Sequence, residues 1–361
     1  MIKFFDISRQ NAMLKDELNR SIGDVVSGGR YILGEKVADF EAKFADYIGT
    51  RYAIGVANGT DALKLSLMAA GVAAGDEVIT VSNTAFPTIL AISNIGAVPV
   101  FVDVGDDYCI DTEKIQAKIT NNTRAIIPVH LYGNPCGMKA LSEISEKHSI
   151  PMIEDACQAH GAEYHGRKTG TFGLTGAFSF YPTKNLGCFG DGGAITTDDY
   201  DLAEKIKMLR NCGQSNRERY VHPCLGMNSR LDEIQAAILN VKLKHLDEWN
   251  SSRIKIAGLY RKNIHSNVLL PPAGTQKHVY HLFVIRSQER ERLAAHMKEN
   301  GIETMVHYPI PAHMQEPFFH GVHHNLGNTE KLSKEILSLP IYPELNENEI
   351  ERVCGAINSF K

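Results

Sequence analysis

The chain has 361 residues, enough for two domains or for one large domain with a smaller one beside it. With 43% hydrophobic and 22% charged residues, its composition is that of an ordinary globular protein and excludes a disordered or collagen-like chain. The net charge of -4 leaves no basic excess for a phosphate backbone, so nucleic acid is excluded as a partner.

Short apolar runs alternate with helical patterns between residues 52 and 197. Runs rich in β-branched or aromatic residues predict strands at 77–81, 98–102, 124–129, 151–154, 177–181 and 193–197. Helices are predicted at 61–70 and 138–148, where apolar residues recur at helical spacing. This alternation predicts an α/β domain with a mostly parallel central sheet and a ligand at the carboxyl ends of its strands.

The chain after residue 197 is more polar, and its patterns are longer. Helices are predicted at 200–211, 229–246 and 248–263, before Pro271 and Pro272 break the chain. A strand at 278–285 and helices at 287–300, 329–339 and 346–360 are predicted to follow. We therefore expect a large domain at 1–248, which includes helices at its start, and a smaller C-terminal α+β domain at 249–361.

Several classes of site and location are disfavoured by the sequence. Charge interrupts the first six residues, and no apolar run reaches the 18 or so residues of a membrane span, so we expect a soluble, cytoplasmic protein without a membrane partner. The seven cysteines form no C-x-x-C pair, which indicates reduced thiols and no zinc module. No metal is predicted at His320, His323 and His324, because no carboxylate or cysteine completes a ligand set beside them.

The most informative stretch runs from residue 151 to residue 193. A buried-looking strand ends in Glu154 and Asp155, and Lys184 follows the next apolar strand, so a carboxylate and a lysine can share one cleft. The motifs N-G-T-D-A-L at 58–63, E-D-A-C-Q-A-H-G at 154–161 and S-F-Y-P-T-K-N-L-G at 179–187 resemble those of the DegT/DnrJ/EryC1/StrS family. A G-D-G-G run at 190–193 completes the resemblance. It implies a sugar aminotransferase that depends on pyridoxal phosphate (PLP) and has the aspartate aminotransferase fold, known as fold type I.

The resemblance implies catalytic roles for Lys184 and Asp155. PLP acts as an electron sink, and it needs an amine for a Schiff base and a partner for its ring nitrogen. Lys184 would supply the Schiff-base amine and shuttle protons, while Asp155 would pair with the ring nitrogen. A free lysine has a pKa of about 10.4, so we expect an apolar cleft or a cationic neighbour to lower it. Taken alone, Lys184 also fits a solvated loop and Asp155 a helix N-cap.

Further residues are expected to bind the cofactor. Gly59 and Thr60 precede the helix predicted from residue 61, so their backbone N–H groups can meet a phosphate at a helix N-terminus. By resemblance, Ser179 adds a hydroxyl group to this phosphate site, and Gln158 hydrogen-bonds the phenolic oxygen of the cofactor.

Two more cofactor contacts are implied by the resemblance alone. Phe86 would stack on the pyridine ring, although by itself it fits a core residue better. Asn228, within the G-x-N-x-R pattern at 226–230, would reach the phosphate of a neighbouring subunit, although by itself it is equally an N-cap. The resemblance therefore implies a homodimer with shared active sites.

The residue at position 184 also bears on the reaction. Dehydratases of the family carry histidine there, so a lysine favours transamination. The surroundings of Lys184 resemble members that aminate C-3 of a nucleotide-linked keto sugar, here dTDP-3-oxo-6-deoxyhexose, with L-glutamate as amino donor. Such an activity belongs to deoxyamino sugar biosynthesis, for a lipopolysaccharide O-antigen or an S-layer glycan. A C-4 keto sugar or a cyclitol as acceptor, and a non-catalytic PLP-binding regulator, remain open.

Contacts with the sugar nucleotide are assigned only as candidates. Tyr181, His307 and Tyr308 are candidates for touching the hexose, because a phenol and an imidazole offer neutral donors and acceptors for hydroxyl groups. Arg30, Arg217 and Arg219 are available to bind the diphosphate, but the sequence does not place them in the site.

Overall fold

The structure, a computed structural model, describes residues 1–272, 274, 276–318 and 325–361. Its strands are β1 (Tyr52–Val56), β2 (Glu77–Val81), β3 (Val98–Val102), β4 (Thr123–Ile126), β5 (Ile153–Asp155), β6 (Glu163–Tyr164), β7 (Arg167–Lys168), β8 (Thr175–Ser179), β9 (Gly193–Thr197), β10 (Phe283–Arg286) and β11 (Ile336–Leu339). Its α-helices are α1 (Ile7–Met13), α2 (Lys15–Gly28), α3 (Glu35–Ile48), α4 (Gly59–Ala69), α5 (Phe86–Ser93), α6 (Thr112–Ile115), α7 (Met138–His148), α8 (Tyr200–Arg210), α9 (Glu233–Lys242), α10 (Leu246–Asn263), α11 (Arg290–Glu299), α12 (Gly327–Glu335) and α13 (Glu347–Ser359). Short 3-10 turns lie at Gln116–Lys118, Leu131–Gly133, Leu243–His245, Ala312–Met314 and Glu316–Phe318.

The central sheet consists of two sets of strands that meet edge to edge. One set has the order β3-β2-β4 and the other β5-β8-β9-β1. Parallel bridges from Ile126 to Met152 and from Val129 to Asp155 connect β4 with β5. Only β9 runs against its neighbours among these strands, whereas β2 pairs parallel with β3 and β4, and β5 pairs parallel with β8. The predicted mostly parallel sheet of an α/β domain is confirmed.

Helix α4 covers the middle of this sheet and positions the candidate site. The Asn58 side chain accepts a hydrogen bond of 2.8 Å from the backbone N–H of Asp61, which caps the helix and fixes where it begins. The apolar residues of α4 are buried against β8 and β9, which anchors the helix along its length. These buried residues are Ala62, Leu63, Leu65 and Leu67.

The C-terminal part of the chain has its own small sheet and core. Strands β10 and β11 pair antiparallel, with Phe283 opposite Leu339, and helices α10, α11 and α13 pack around them. Ile2 joins this core and forms a parallel bridge with Ile302, so the start of the chain packs against its C-terminal part. Helix α10 runs across the predicted domain boundary at 248/249, and the division into two domains stays a prediction.

One predicted helix is wrong in part. The pattern at 329–339 predicted a single helix, but α12 ends at Glu335 and the chain continues as β11. All four residues of β11 are buried, and they complete a two-stranded sheet with β10. Burial on both faces leaves no alternation in the sequence, so the strand resembles a continuation of the apolar side of the helix.

Other elements differ from prediction in their bounds. The strands at 77–81, 98–102 and 193–197 are confirmed, whereas the strand predicted at 124–129 ends at Ile126, before Pro128, which has no N–H for the sheet. Among the other differences, the helix predicted at 229–246 begins at Glu233, the strand predicted at 177–181 spans Thr175–Ser179, and the strand predicted at 278–285 is confined to Phe283–Arg286.

Candidate active site

A cavity of about 260 Å³ lies where β5 and β8 end and α4 begins. This is the carboxyl edge of the sheet, where a ligand is expected in an open α/β fold. Many of the predicted site residues come together there. Those that line the cavity are Gly59, Thr60, Asp155, Gln158, Ser179, Tyr181 and Lys184.

The carboxylate of Asp155 is held in one orientation. Its Oδ2 atom accepts a hydrogen bond of 2.7 Å from the Thr88 hydroxyl, and its Oδ1 atom accepts one of 3.2 Å from the Cys157 backbone N–H. The residue is buried and closes the end of β5, so strand pairing fixes its backbone. Two donors fix the direction of this buried carboxylate, which suits a partner for a cationic ring nitrogen.

Lys184 lies in the turn that follows β8. Its backbone N–H donates to the Tyr181 carbonyl at 2.8 Å, which closes this turn. Burial lowers the pKa of the Lys184 amine, and this effect outweighs the opposing influence of the Cys157 and Asp155 side chains. Among the described residues, no hydrogen bond or ion pair engages its Nζ atom. A desolvated lysine without a partner can supply a neutral, nucleophilic amine.

The beginning of α4 forms a cradle for an anion. A Cβ atom at Gly59 would lie 2.7 Å from the Ser179 Cβ atom and 2.8 Å from the Cys157 Sγ atom, so only glycine fits between them. The hydroxyl groups of Thr60 and Ser179 stand beside this helix N-terminus, whose first N–H groups have no partner within the helix. The donor set therefore fits a phosphate group.

A second group of polar residues is tied to Gln158. Its Oε1 atom accepts from the Tyr132 backbone N–H at 2.7 Å, and its Nε2 atom donates to the Tyr308 hydroxyl at 3.2 Å. Burial raises the pKa of Tyr308 to about 12, and it lowers the pKa of His307 to about 4 with help from the positive charge of Lys184. Both rings are therefore neutral at pH 7.

Four predicted residues do not line this cavity: His307 and Tyr308, which lie beside it, and the two cofactor candidates Phe86 and Asn228. Phe86 instead lines a neighbouring cavity of about 140 Å³ together with Tyr308, and its ring packs 6.1 Å from that of Phe318. Asn228 is exposed, and it forms a bridge with Asn211 away from the cavity of its own chain. Their roles toward the cofactor stay predictions.

The sequence matches a known protein family and several of its members along nearly the whole chain. Residues 12–358 match the DegT/DnrJ/EryC1/StrS aminotransferase family. The chain belongs to this family. It is 46% identical over 363 residues to the dTDP-3-amino-3,6-dideoxy-alpha-D-galactopyranose transaminase of Aneurinibacillus thermoaerophilus, which covers 100% of this chain and 99% of the relative. It is 43% identical over 366 residues to the dTDP-3-amino-3,4,6-trideoxy-alpha-D-glucose transaminase of Streptomyces venezuelae, covering 99% of this chain and 96% of the relative.

Solved structures place this DegT/DnrJ/EryC1/StrS aminotransferase in the same fold. The crystal structure of Streptomyces venezuelae DesV matches with a TM-score of 0.96 and 43% identity, and it covers 99% of this chain and 97% of that one. Bacillus subtilis NtdA, solved with bound cofactor PMP (pyridoxamine phosphate), matches with a TM-score of 0.89 and 33% identity, over 95% of this chain and 80% of that one. The predicted fold and family are confirmed, and the protein is a PLP-dependent aminotransferase whose lysine, carboxylate and anion cradle fit that cofactor.

Sequence reasoning missed several residues of this aminotransferase site. Thr88 donates a hydrogen bond to Asp155. Asn185, the residue after Lys184, contacts His281 at 3.2 Å. No local periodicity marks such contacts, because each joins residues far apart in the chain. A threonine one turn into a helix that begins beside the site is the only available signal for Thr88.

Neither a metal-binding cluster nor a membrane-spanning helix is present in the described part of the chain. Within residues 1–272, 274, 276–318 and 325–361, no three His, Cys, Asp or Glu side chains are grouped in a way that could hold a metal ion. His320, His323 and His324 lie outside the described residues. No helix in those same ranges has both the length and the apolar character to cross a bilayer.

Proposed function

We propose that this aminotransferase moves the amino group of L-glutamate to C-3 of dTDP-3-oxo-6-deoxyhexose and so forms a dTDP-3-amino-3,6-dideoxyhexose. One observation carries the proposal: the Lys184 amine, which no described residue engages, shares a cavity with buried Asp155 and an anion cradle, beside the neutral rings of His307 and Tyr308. The two transaminases described above, which are named for dTDP-3-amino sugars and match this chain almost end to end, support the acceptor class.

The chain's residues would hold PLP at three points. Lys184 would bind its aldehyde group, Asp155 its ring nitrogen, and the start of α4 with Thr60 and Ser179 its phosphate. When bound, PLP supplies an electron sink for charge that develops at the reacting carbon. Gln158, which also lines the cavity, would hydrogen-bond the phenolic oxygen.

Lys184 would move protons between donor and acceptor. Since burial lowers the pKa of its amine and no described group engages the Nζ atom, the free base is available to take the proton from Cα of glutamate. The same amine would later deliver a proton to C-3 of the sugar. Thr88 and the Cys157 N–H would hold the Asp155 carboxylate in place throughout.

Tyr308 and His307 would orient the hexose. The Tyr308 oxygen accepts from Gln158, so its own hydrogen remains available to donate to a sugar hydroxyl. The His307 Nδ1 atom is engaged by the Ser338 hydroxyl at 2.9 Å, which leaves Nε2 for a second contact. Tyr181, 54% exposed at the edge of the cavity, would cover the bound sugar.

A second copy of the chain would complete the site. Tyr220 and Leu225, near Asn228, are 73% and 92% exposed, and large apolar side chains at such exposure suit a subunit interface. In a homodimer, Asn228 would reach the phosphate of the partner subunit, and Arg217 and Arg219 would stand near its sugar nucleotide. We place this enzyme in the cytoplasm, where it would supply deoxyamino sugars for an O-antigen or S-layer glycan.

The test is a set of paired acceptor assays. PLP-loaded protein receives glutamate together with 3-oxo or 4-oxo dTDP-6-deoxyhexose, or with the UDP-linked 3-oxo analogue, and products are identified by mass spectrometry. We expect a new amino sugar and equimolar 2-oxoglutarate with the dTDP-linked 3-oxo sugar. Turnover confined to the 4-oxo sugar would contradict the regiochemistry. A glutamate half-reaction without any acceptor would instead favour a PLP-binding regulator.

A further inference from the structure

Residues 2–5 lie against the segment that leads to His307. The Ile2 N–H donates to the Gly301 carbonyl at 2.7 Å, and the Ile2 carbonyl accepts from Glu303 N–H at 3.0 Å. The Phe4 N–H donates to the Glu303 carboxylate at 3.0 Å. These contacts fix the path of residues 2–5 and carry two aromatic rings toward the active site.

Each of these rings lies flat against one imidazole. The Phe4 ring stacks on that of His307, with centroids 5.5 Å apart and planes at 26°. The Phe5 ring stacks on that of His281, with centroids 6.2 Å apart and planes at 23°. The two phenylalanine rings also meet edge to face at 4.8 Å, so each limits the rotation of the other.

The imidazole beneath Phe5 is connected to the catalytic lysine through Asn185. His281 Nδ1 lies 3.2 Å from the Asn185 Oδ1 atom, and Asn185 directly follows Lys184. The Asn185 amide also donates to Asn250 Oδ1 at 2.8 Å and to the Val279 carbonyl at 3.1 Å. Asn185, Asn250 and His281 are all buried, so this network holds the turn that carries Lys184 against α10.

The imidazole beneath Phe4 belongs to the sugar-facing part of the site. His307 adjoins Tyr308, whose hydroxyl accepts from Gln158 in the Lys184 cavity. The His307 Nδ1 atom meets Ser338, but the flat face of its ring is held by Phe4. The two rings therefore support two different parts of one site.

We infer that Phe4 and Phe5 are positioning residues of the transamination site. Phe5 orients Lys184 through His281 and Asn185, whereas Phe4 orients His307 and Tyr308 toward the acceptor. The Phe4 assignment rests on the proposed function, because it needs a sugar at His307, and the Phe5 assignment needs only the glutamate half-reaction. The inference thus predicts a different kinetic defect for each of two neighbouring phenylalanines.

The test measures both half-reactions in Phe4→Leu and Phe5→Leu, using PLP-loaded full-length protein. Phe5→Leu should slow the glutamate half-reaction and the acceptor half-reaction by about 3- to 10-fold each. This factor corresponds to the free energy of one aromatic contact. Phe4→Leu should raise KM for the keto sugar by about the same factor, with the glutamate half-reaction within about twofold of wild type. Phe5→Tyr, which keeps the ring, should restore the rates.

A matched control is available in the C-terminal core. The Phe360 ring packs 5.6 Å from that of His296, away from the Lys184 cavity. Phe360→Leu should therefore lower stability without separating the two half-reactions. If either Leu variant fails to fold, Phe4→Met or Phe5→Met, which fills more of the space, takes its place. Equal effects of all three substitutions on both half-reactions would overturn the inference.

A second measurement needs neither cofactor nor turnover. Diethyl pyrocarbonate modifies accessible neutral imidazoles, and peptide mapping locates the label in protein without PLP. Phe4→Leu should increase labelling of His307 by at least about threefold, and Phe5→Leu that of His281, with His296 unchanged in both. Unchanged labelling at His281 and His307 would overturn the inference. Failure of the wild type to use any keto sugar would overturn the proposed function alone, since the labelling and the Phe5→Leu glutamate half-reaction would still be measurable.

Discussion

The active site has two sides that are built in different ways. The motif side comprises residues 58–60, 155–158 and 179–184, and each segment stands where a strand ends or a helix begins. The assembled side comprises His281, His307 and Tyr308 with the rings of Phe4 and Phe5, and it is joined by contacts such as the Gln158–Tyr308 hydrogen bond across 150 positions of the chain.

The difference concerns what a substitution can disturb. On the motif side, backbone position is fixed by strand pairing, by a helix cap and by the absence of a side chain at Gly59. On the assembled side, orientation depends on stacked rings and side-chain hydrogen bonds between distant elements. We therefore expect substitutions on the motif side to abolish chemistry or binding, and those that loosen the assembled side to have graded effects.

The largest effect is expected for Lys184→Ala, which removes the reactive amine from the motif side. Turnover should fall by about 10⁴-fold or more, because the residue serves both as cofactor-binding amine and as proton carrier. Borohydride treatment of the PLP-loaded wild type should fix the label on the peptide that contains Lys184, and this label should be lost in the variant. Absorbance and peptide mapping report both results.

Lys242 offers a control for mere burial of a lysine. Burial lowers the pKa of Lys242 to about 8, but its Nζ atom donates to the Gly187 carbonyl at 2.9 Å. Lys242→Met should therefore leave the borohydride label on Lys184. A label on Lys242 in the wild type would contradict the assignment of the catalytic lysine.

The next largest effect is expected for Glu154, which precedes Asp155 in β5, and it concerns stability. Its buried carboxylate accepts from the backbone N–H groups of Gly170, Phe172 and Gly173 at 2.7, 2.6 and 2.8 Å and contacts His130 Nε2 at 3.0 Å. Glu154→Gln should lower the free energy of unfolding by about 2–4 kcal/mol, because buried donors lose a charged acceptor. Urea unfolding measures this change.

A surface carboxylate provides the comparison for Glu154. Glu204 pairs with Lys207 at 2.8 Å on a solvated helix face, so Glu204→Gln should cost about 0.5 kcal/mol or less. Equal stability of the two variants would show that the Glu154 contacts do not hold the loop at 170–173 against β5.

Gly59→Ala tests the anion cradle with one added methyl group. Because its Cβ atom would lie under 3 Å from Ser179 and Cys157, we expect a loss of about 1–3 kcal/mol in unfolding free energy. Weaker retention of PLP on dialysis should accompany this loss. Gly258→Ala lies in α10, where no described atom beyond its chain neighbours and the helix backbone comes within 4 Å of the added Cβ, so it should be neutral or stabilising by up to about 1 kcal/mol. Full PLP retention by Gly59→Ala would argue against a phosphate at this helix N-terminus.

The two sides also differ in how far the sequence predicted them. The bounds of strands such as 77–81 and 193–197 are predicted correctly, because an apolar β-branched run between turn residues indicates both the strand and its ends. Lys184 and Asp155 stand in motifs whose residues are close in sequence, so the sequence alone predicts that they share one cleft. By contrast, the roles of Asn185 and His281 depend on a contact between segments far apart in the chain, which no local pattern predicts. For the same reason, the pairing that makes 336–339 a strand was hidden in an apparently helical pattern.

The smallest effect is expected at Asp103, which supports the assembled side from a distance. Its carboxylate accepts from the Thr329 N–H and hydroxyl at 2.8 Å each and from the Asn328 N–H at 3.1 Å, at the start of α12. Helix α12 leads directly into β11, whose Ser338 holds His307 at 2.9 Å. Asp103→Asn should therefore lower the free energy of unfolding by about 1–2 kcal/mol at pH 7.

The pH dependence of this loss identifies the carboxylate as its source. Burial alone would raise the pKa of Asp103, but hydrogen bonds from Thr329 and Asn328 hold it below its ordinary value. Since the folded pKa is depressed, the stabilisation is fully present above about pH 4, the unfolded value, and is lost as the pH falls through the folded pKa. The difference between wild type and Asp103→Asn in urea unfolding should thus shrink below about pH 4, whereas the exposed Asp39→Asn should differ little from wild type at any pH. A difference that persists unchanged into acid would mean that the shape of the side chain, and not its charge, holds α12 in place.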